Sequence, residues 1–591
     1  MNQTSDAPAE SQPLSPAARF LWIALVLATL YLCYFHNLGV IGLVGPDEPR
    51  YAWIARNMAE TGDWVTPRLY GKPWFEKPVL YYWSAALSFR LFGVSEASAR
   101  LPSAVCALLA TLALAWLASR LYGEETARWL LLLLPTTVGM IGFSHAAATD
   151  MPFAGMLTIA MVFAAFLLKL VPDSSSPDSL GGWFSRSSAT SWSSFASLFF
   201  GFFLGLATLA KGPAALILSG GGVLLWAAVA KRWRDAFRCL HPVAITAFSV
   251  TALPWYILCA RRNPDFFRVF IMEHNFKRFL TPEFQHAQPF WFYVPVLLVA
   301  FLPWTLALLW SLLYGSLQFG PRHRPSATSL LLLSWVVFCL FFFSISKSKL
   351  PGYMLPAVPA TGLLLVRSVV RLVPGYEKTF RWLLLAFGGF GAIASPVLLW
   401  TARPFQVTKP LGFVLISVTV VLLLYAIANL FLANIQNRAT LWRTLAPLCV
   451  VPILFLLCTF KQVAAPWLRY DPSGRTLAIE LQRSGIPLEQ LFAQPMYRGM
   501  LWSLDFYLHR EIRVWDDANP HQGYLLLRSK HCDSHVSGAW KCPDNPLELP
   551  LSGWFVYKVE RSDSGSGFGN GSSSRGEGGS GADRRDNRQP R

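Results

Sequence analysis

Val79-Leu80-Tyr81-Tyr82-Trp83-Ser84-Ala85-Ala86-Leu87-Ser88-Phe89-Arg90-Leu91-Phe92-Gly93-Val94 is the stretch on which the architecture of this chain turns. Apolar runs long enough to cross a hydrocarbon core about 30 Å thick lie on both sides of it. One falls near 20–38, and the rest near 99–119, 127–145, 152–170, 195–211, 213–230, 241–260, 289–313, 327–345, 352–372, 380–400, 411–434 and 442–461. These make thirteen crossings. Residues 79–94 would add another, but Tyr81, Tyr82, Trp83, Ser84 and Arg90 interrupt the run in the manner of a helix lying at the interface. The positive charges discriminate between the two counts. With thirteen crossings, Lys231, Arg232, Arg234, Arg238, Arg322, Arg324, Arg367, Arg371, Lys378, Arg381, Arg438 and Arg443 share one side, as the positive-inside rule asks of cytoplasmic loops. Counting 79–94 as a crossing reverses every later loop. Residues 79–94 are therefore read as an interfacial helix, and the region after Lys461 falls outside the cytoplasm.

The composition agrees. Of 591 residues, 53% are hydrophobic and only 14% charged, too sparse a polar surface for a water-soluble body of this size. The net charge of +18 does not indicate a nucleic-acid partner, because the Lys and Arg sit in short loops between apolar runs instead of forming one basic domain. The expected organisation is a cytoplasmic tail at 1–19, a transmembrane domain at 20–461 with a long outer loop at 39–98, a small α/β domain at 462–560 and a tail at 561–591. The α/β reading rests on helical spacing from Thr476 to Arg483 and strand-like Gly523-Tyr524-Leu525-Leu526-Leu527 and Trp554-Phe555-Val556-Tyr557. The Gly, Ser, Arg and Asp after Ser562 cannot bury a core, and the Ser-rich stretch 173–194 reads as a cytoplasmic linker. Seven of the nine cysteines lie in or beside apolar runs and read as small core hydrophobes. Cys532 and Cys542 do not. With His531 and His535 they have the donor types of a zinc site, but outside the cytoplasm a disulfide closing a short loop is the favoured use.

The thirteen-span topology gathers an unusual set of residues on the outer face. They are Asp47, Glu48 and Arg50; Glu76 and Lys77; Asp150; Lys211; Glu273, His274 and Arg278; and Lys347, Lys349 and Tyr353. Solvated loop charges explain single members of such a set, but not the whole gathering. Ionisable groups at a membrane boundary are costly unless paired or used. The loop 39–98 is also much longer than a connector needs. Within it, Tyr51, Ile54, Ala55 and Met58 follow helical spacing, and capping explains one of the adjacent acids Asp47 and Glu48 but not both followed by Arg50.

Glycosyl transfer with inversion needs a carboxylate to take the proton of the incoming hydroxyl and cations to hold the departing phosphate. Both residue types are present. Asp47, Asp150 and Glu48 are the candidate acids, Lys77, Lys211, Arg50, Arg278 and Lys349 the candidate phosphate ligands, and Tyr353 a hydrogen-bond donor at the boundary.

These residues also carry a resemblance. Asp47-Glu48-x-Arg50-Tyr51, Phe75-Glu76-Lys77-Pro78, Thr149-Asp150-Met151-Pro152, Ala210-Lys211-Gly212-Pro213, Glu273-His274-Asn275 with Arg278-Phe279, Pro303-Trp304 and Lys349-Leu350-Pro351-x-Tyr353 occur in that order. The series resembles the bacterial 4-amino-4-deoxy-L-arabinose lipid A transferases and their protein O-mannosyltransferase relatives, the GT-C glycosyltransferases. The resemblance implies a polytopic α-helical GT-C-like fold, an undecaprenyl-phosphate-linked sugar donor, a lipid or glycolipid acceptor, an active site facing the periplasm of a bacterial inner membrane and no nucleotide-sugar site. It implies that Asp47 is the leading catalytic acid, with Asp150 nearby and Lys77, Lys211 and Tyr353 around the carrier phosphate. It also implies Glu76 and His274 as a candidate divalent-metal pair, although an acid and a lone His more often share a hydrogen bond. The later half of the chain departs from the arabinose-transferase pattern and names no acceptor.

Two other functions fit a polytopic chain with buried charges: a transporter or flippase for a lipid-linked sugar, and a non-catalytic scaffold. Transporters place their unusual residues near the midplane, often in paired repeats. Here those residues cluster at one boundary and no repeat is apparent. A protein hydroxyl as acceptor is the alternative within the enzyme reading.

Overall fold

The computed structural model of the chain describes residues 16–171, 189–277, 288–318, 325–371, 450–459, 461, 473–516, 523–530, 532, 540–542 and 545–561. Outside them lie the spans expected at 380–400 and 411–434, the start of 442–461, most of the tail 1–19 and of the linker 173–194, all but the first residue of the tail 561–591, and Arg278, His531 and His535.

Helices dominate. Among the described residues seven are long and apolar enough to cross a membrane: Pro16–Tyr34, Glu96–Tyr122, Asp150–Leu167, Ser193–Lys211, Pro242–Arg262, Ala327–Ile345 and Pro351–Arg371. Two more of the expected crossings are bent pairs, Glu124–Leu133 with Val138–Ser144 at 62° and Phe290–Ala300 with Thr305–Leu313 at 115°. Each break contains a proline, Pro135 or Pro303, whose ring removes a helix hydrogen bond. The breaks meet: Val138 donates its N–H to the Leu302 carbonyl at 2.8 Å, and the Trp304 indole donates to Thr136 Oγ1 at 2.9 Å. The contact gives backbone groups at both breaks a protein partner, as lipid requires. The expected span 213–230 is the shorter apolar helix Ala214–Ala230.

Asp150–Leu167 is hydrophobic almost all round and buried along nearly its whole length, the character of a central helix. It packs between Glu96–Tyr122 and the helix ending at Lys211. The latter in turn lies tightly on Pro242–Arg262, because Gly201 and Gly205 present no side chain there. A β-carbon on Gly201 would collide with the Ala244 carbonyl, and one on Gly205 would lie 2.7 Å from Thr251 Cβ. Small residues four apart are the usual device for close helix approach in lipid.

The loop 39–98 is folded throughout. It holds the helix Asp47–Thr61, a hairpin of Arg68–Leu69 with Lys72–Pro73, and the helix Leu80–Phe92. Tyr70 and Gly71, both at positive φ, make the two-residue hairpin turn. Leu80–Phe92 has 13 residues. At 1.5 Å per residue that is about 20 Å, too short to cross.

Contacts divide the chain into two units, and the division differs from the expected boundary at 461/462. The larger unit includes residues up to Ser484 and again Met496–Ile512, so the helices Arg475–Arg483 and Arg498–Leu508 belong with the membrane helices and the first loop. The smaller unit, Gly485–Pro495 with Arg513–Arg591, is a mixed sheet. Leu491–Ala493 runs parallel to both Arg513–Val514 and Gly523–Leu527, and Trp554–Arg561 pairs antiparallel with Gly523–Leu527, Trp540–Lys541 and Leu547–Leu549. Cys532 and Cys542 form a disulfide there.

The helix Arg498–Leu508 is fastened to the first loop by polar contacts. The Tyr70 hydroxyl donates to Asp505 Oδ2, Arg56 Nη1 donates to the Phe506 carbonyl at 3.2 Å, and the Leu43 N–H donates to the Tyr507 hydroxyl at 2.9 Å. Burial pushes the Asp505 carboxyl up to about 7, with Glu511 adding to the push and the bonds from Tyr70 and the Ile512 N–H opposing it. A carboxyl held above its unfolded value binds its proton more tightly when folded, so stability falls as pH rises from the ordinary carboxylate range to about 7. Asp505→Asn keeps an acceptor and removes the charge. Its thermal midpoint in detergent is expected to gain on the parent's more at about pH 8 than at about pH 5. Equal gains at both would exclude Asp505 ionisation as the cause.

Candidate active site

Asp47 and Glu48 open the helix Asp47–Thr61, where carboxylates suit the positive end of the helix dipole. Their side chains then diverge. Glu48 is buried, and both its oxygens are fully engaged. Oε1 accepts from the Ala147 N–H at 2.7 Å and Arg100 Nε at 2.9 Å, and Oε2 accepts from the Val44 N–H at 2.9 Å and Arg100 Nη2 at 2.8 Å. Arg100 continues to the carbonyls of Leu38, Ile41 and Gly42 at 2.8, 2.6 and 2.8 Å. Four hydrogen bonds fill the acceptor sites of a carboxylate. Glu48, expected among the catalytic acids, is therefore placed as a structural pin with no free lone pair for an incoming proton.

Asp47 points the other way, its side chain 49% exposed. Its Oδ1 meets Arg50 Nη2 at 2.5 Å, Arg50 Nη1 reaches Glu76 Oε2 at 2.9 Å, and Glu76 Oε1 lies 3.8 Å from Lys77 Nζ. Acid and base alternate along this chain of four. The Arg50 guanidinium sits among three rings, 5.0 Å from Tyr51, 5.4 Å from Trp74 and 5.1 Å from Trp502. The Asp47 carboxyl is held above the usual carboxylate range. Burial is the largest cause, the negative charges of Glu76 and Asp150 act with it, and Arg50 and Lys77 act against it.

A backbone contact links these distant positions: the Ala147 N–H, three residues before Asp150, donates to Oε1 of Glu48, the neighbour of Asp47. Asp150 begins one central helix and Lys211 ends its neighbour, so antiparallel packing brings them to one level. Lys211 Nζ lies 2.5 Å from Asp150 Oδ1 and 4.7 Å from the centre of the Tyr353 ring. Tyr353 arrives on the turn Pro351–Ala357, which can approach because residue 352 is glycine: a β-carbon there would lie 2.7 Å from Asp150 Oδ1.

Other expected members are placed differently. Lys349 is buried and turned onto its own loop, Nζ donating to the Ser346 carbonyl at 2.6 Å. Burial, and then the charge of Lys347, lower its pKa. His274 is half-buried on the π-helical segment Arg268–Lys277, which begins just after Phe266. Phe266 packs edge-on to Phe75, beside Glu76. Among the described residues no group of three or more His, Cys, Asp and Glu side chains is arranged to hold a metal ion, and Glu76 already faces two cations.

A model of the dolichyl-phosphate-mannose-protein mannosyltransferase family matches residues 20–270. Two proteins named undecaprenyl phosphate-alpha-4-amino-4-deoxy-L-arabinose arabinosyl transferase, from Enterobacter sp. (strain 638) and Edwardsiella ictaluri, are 31% and 32% identical to this chain, over 73% of its length and 75% of theirs. The chain belongs to that arabinosyl transferase family. Its fold is that of ArnT from Cupriavidus metallidurans, a structure bound to undecaprenyl phosphate, with a TM-score of 0.72 at 23% identity, covering 92% of this chain and 98% of that one. The protein is thus a polytopic membrane glycosyltransferase with a GT-C fold.

Two residues that contact the candidate site escaped the sequence reading, Arg100 on Glu48 and Trp502 on Arg50. Arg100 carried a signal, a charge just inside an apolar span, where an ionisable group demands a partner. Trp502 carried none, because nothing in its neighbourhood links it to position 50. Removing one partner of a buried ion pair costs about 3–5 kcal/mol, so Arg100→Met is expected to lower the thermal midpoint in detergent sharply. Glu48→Gln/Arg100→Met, which leaves no lone charge, is expected to recover part of the loss. A double variant no better than the single would show that the pairing does not hold the loop.

Proposed function

We propose that the transferase moves 4-amino-4-deoxy-L-arabinose from undecaprenyl phosphate to a lipid A-like acceptor on the periplasmic face of a bacterial inner membrane, with inversion. The observation that carries this reading is the half-exposed Asp47, linked through Glu48 and the Ala147 N–H to the helix start where Asp150 meets Lys211 and Tyr353. The similarity to undecaprenyl phosphate-aminoarabinose arabinosyl transferases supports the donor. The positive-inside count supports the orientation.

In this mechanism an oxygen of the acceptor attacks the anomeric carbon as its bond to the carrier phosphate breaks. Asp47 takes the acceptor's proton, its raised pKa making it a stronger base than an ordinary carboxylate. Asp150, held by Lys211, orients the acceptor or the sugar. The charge left on undecaprenyl phosphate is met by Lys77 and Lys211, whose ammonium groups suit phosphate as point charges. Arg50 is engaged by Asp47 and Glu76 and aligns the acids more than it binds donor. No step is routed through a metal. Chelation with EDTA is expected to leave transfer unchanged, and loss restored by a divalent ion would assign Glu76 and His274 to that ion.

A protein hydroxyl acceptor is the second reading, supported by the mannosyltransferase model over residues 20–270. Purified protein offered a panel of undecaprenyl-phosphate sugars with lipid A and with peptides separates the two. Transfer of aminoarabinose to lipid A is expected, whereas direct use of a nucleotide sugar would overturn the donor assignment. Asp47→Asn is expected to abolish turnover in folded protein, and near-normal turnover would remove it as the base. Lys77→Ala or Lys211→Ala is expected to raise the donor KM more than it lowers kcat. The acid limb of the rate profile is expected above the usual carboxylate range, since activity is lost as Asp47 takes a proton through its raised pKa.

A further inference from the structure

We propose that Trp502, on the C-terminal helix Arg498–Leu508, is a positioning residue of the active site, its indole covering the Arg50 guanidinium that aligns Asp47 and Glu76. The proposal rests on the reading of Asp47 as the proton acceptor. It assigns a role in the chemistry to a helix more than 400 residues distant in sequence from the loop it serves.

The geometry is specific. Trp502 is buried, with its ring 5.1 Å from the guanidinium carbon, and Trp74 and Tyr51 supply the other two rings around the same group. Arg50 is itself buried and has one carboxylate on each terminal nitrogen. Those two pairs fix the guanidinium in its own plane, and a flat aromatic face restrains movement out of that plane while adding cation–π attraction. Tyr51 and Trp74 belong to the first loop and move with it. Trp502 comes from outside the loop, so it ties the position of the guanidinium to a separate element.

That element is well anchored. Besides Tyr70–Asp505, Arg56–Phe506 and Leu43–Tyr507, the Tyr507 hydroxyl donates to Glu96 Oε1 at 3.0 Å, and Ser503 donates to the Ser473 carbonyl. The first loop is therefore gripped near residues 43, 56 and 70, and Trp502 projects from the gripping helix onto Arg50. Losing the indole leaves Asp47 in place in the sequence but free to shift. A displacement on the order of 1 Å at a reacting group lowers rate by about a hundredfold.

The test uses the full-length protein in detergent, with undecaprenyl-phosphate aminoarabinose and lipid A as substrates. Trp502→Ala is expected to lower kcat by at least about tenfold with the donor KM within about twofold, because the interaction acts on the transition state and not on donor binding. Trp502→Phe, which keeps an aromatic face, is expected to recover most of the rate. Trp502→Leu, which keeps apolar bulk without that face, is not, and it stands in for the alanine variant if the latter fails to fold. In a double-mutant cycle, Arg50→Lys/Trp502→Ala is expected to be no worse than Arg50→Lys alone. Wild-type kcat in the alanine or leucine variant, phenylalanine no better than alanine, or additive effects in the cycle would each overturn the proposal. Turnover retained by Asp47→Asn would instead sink the base assignment. A dead Asp47→Asn beside a fully active Trp502→Leu would sink the positioning role alone.

Discussion

The site depends on the buried pair of Glu48 and Arg100. A charged arginine inside an apolar helix bundle is tolerable only with a partner, and Arg100 finds one carboxylate and three backbone carbonyls. The same carboxylate accepts from the N–H groups of Val44 and Ala147. Glu48 directly follows Asp47, and Ala147 lies three residues before Asp150. One desolvated ion pair thus ties together the two stretches of chain that carry the candidate acids Asp47 and Asp150.

Around that pin, charge is arranged in small alternating sets. Asp47, Arg50, Glu76 and Lys77 form one, and Asp150 with Lys211 forms the other. Such an arrangement keeps the resting site near neutrality, so no strong uncompensated charge is buried before substrate arrives. The cations of the two sets differ in kind, since lysine is a flexible point charge and arginine a planar fork. Arg50, planar, pairs with Asp47 through one terminal nitrogen and with Glu76 through the other.

The C-terminal helices enlarge the picture. Arg475–Arg483 and Arg498–Leu508 lie beyond the last membrane run, yet they pack with the first loop and complete the surroundings of Arg50. The chain thus returns to pack against its own first loop, while the smaller sheet with its Cys532–Cys542 bridge forms a unit of its own.

Much was legible in the residues alone. Apolar length determined the membrane character and most span positions, since no other solvent accepts runs of that kind. The interruptions at Tyr81 to Arg90 marked the helix Leu80–Phe92 as one that does not cross, and the ordered short motifs marked the family; the structure groups Asp47 with Lys77 through Arg50 and Glu76, and Asp150 with Lys211 and Tyr353. What periodicity and motif spacing could not separate was which of two adjacent acids is free to react. Asp47 and Glu48 are neighbours of nearly identical chemistry, and only the direction each side chain takes from the helix separates them, Glu48 buried on Arg100 and Asp47 half-exposed beside Arg50. Lys349 is a case of the same kind, a motif lysine that the fold turns onto the carbonyl of Ser346. Trp502 is the extreme case. A one-dimensional reading sees only local pattern, and a contact made across more than 400 residues leaves no local trace, so tertiary packing alone decides that this indole stands over the guanidinium of Arg50.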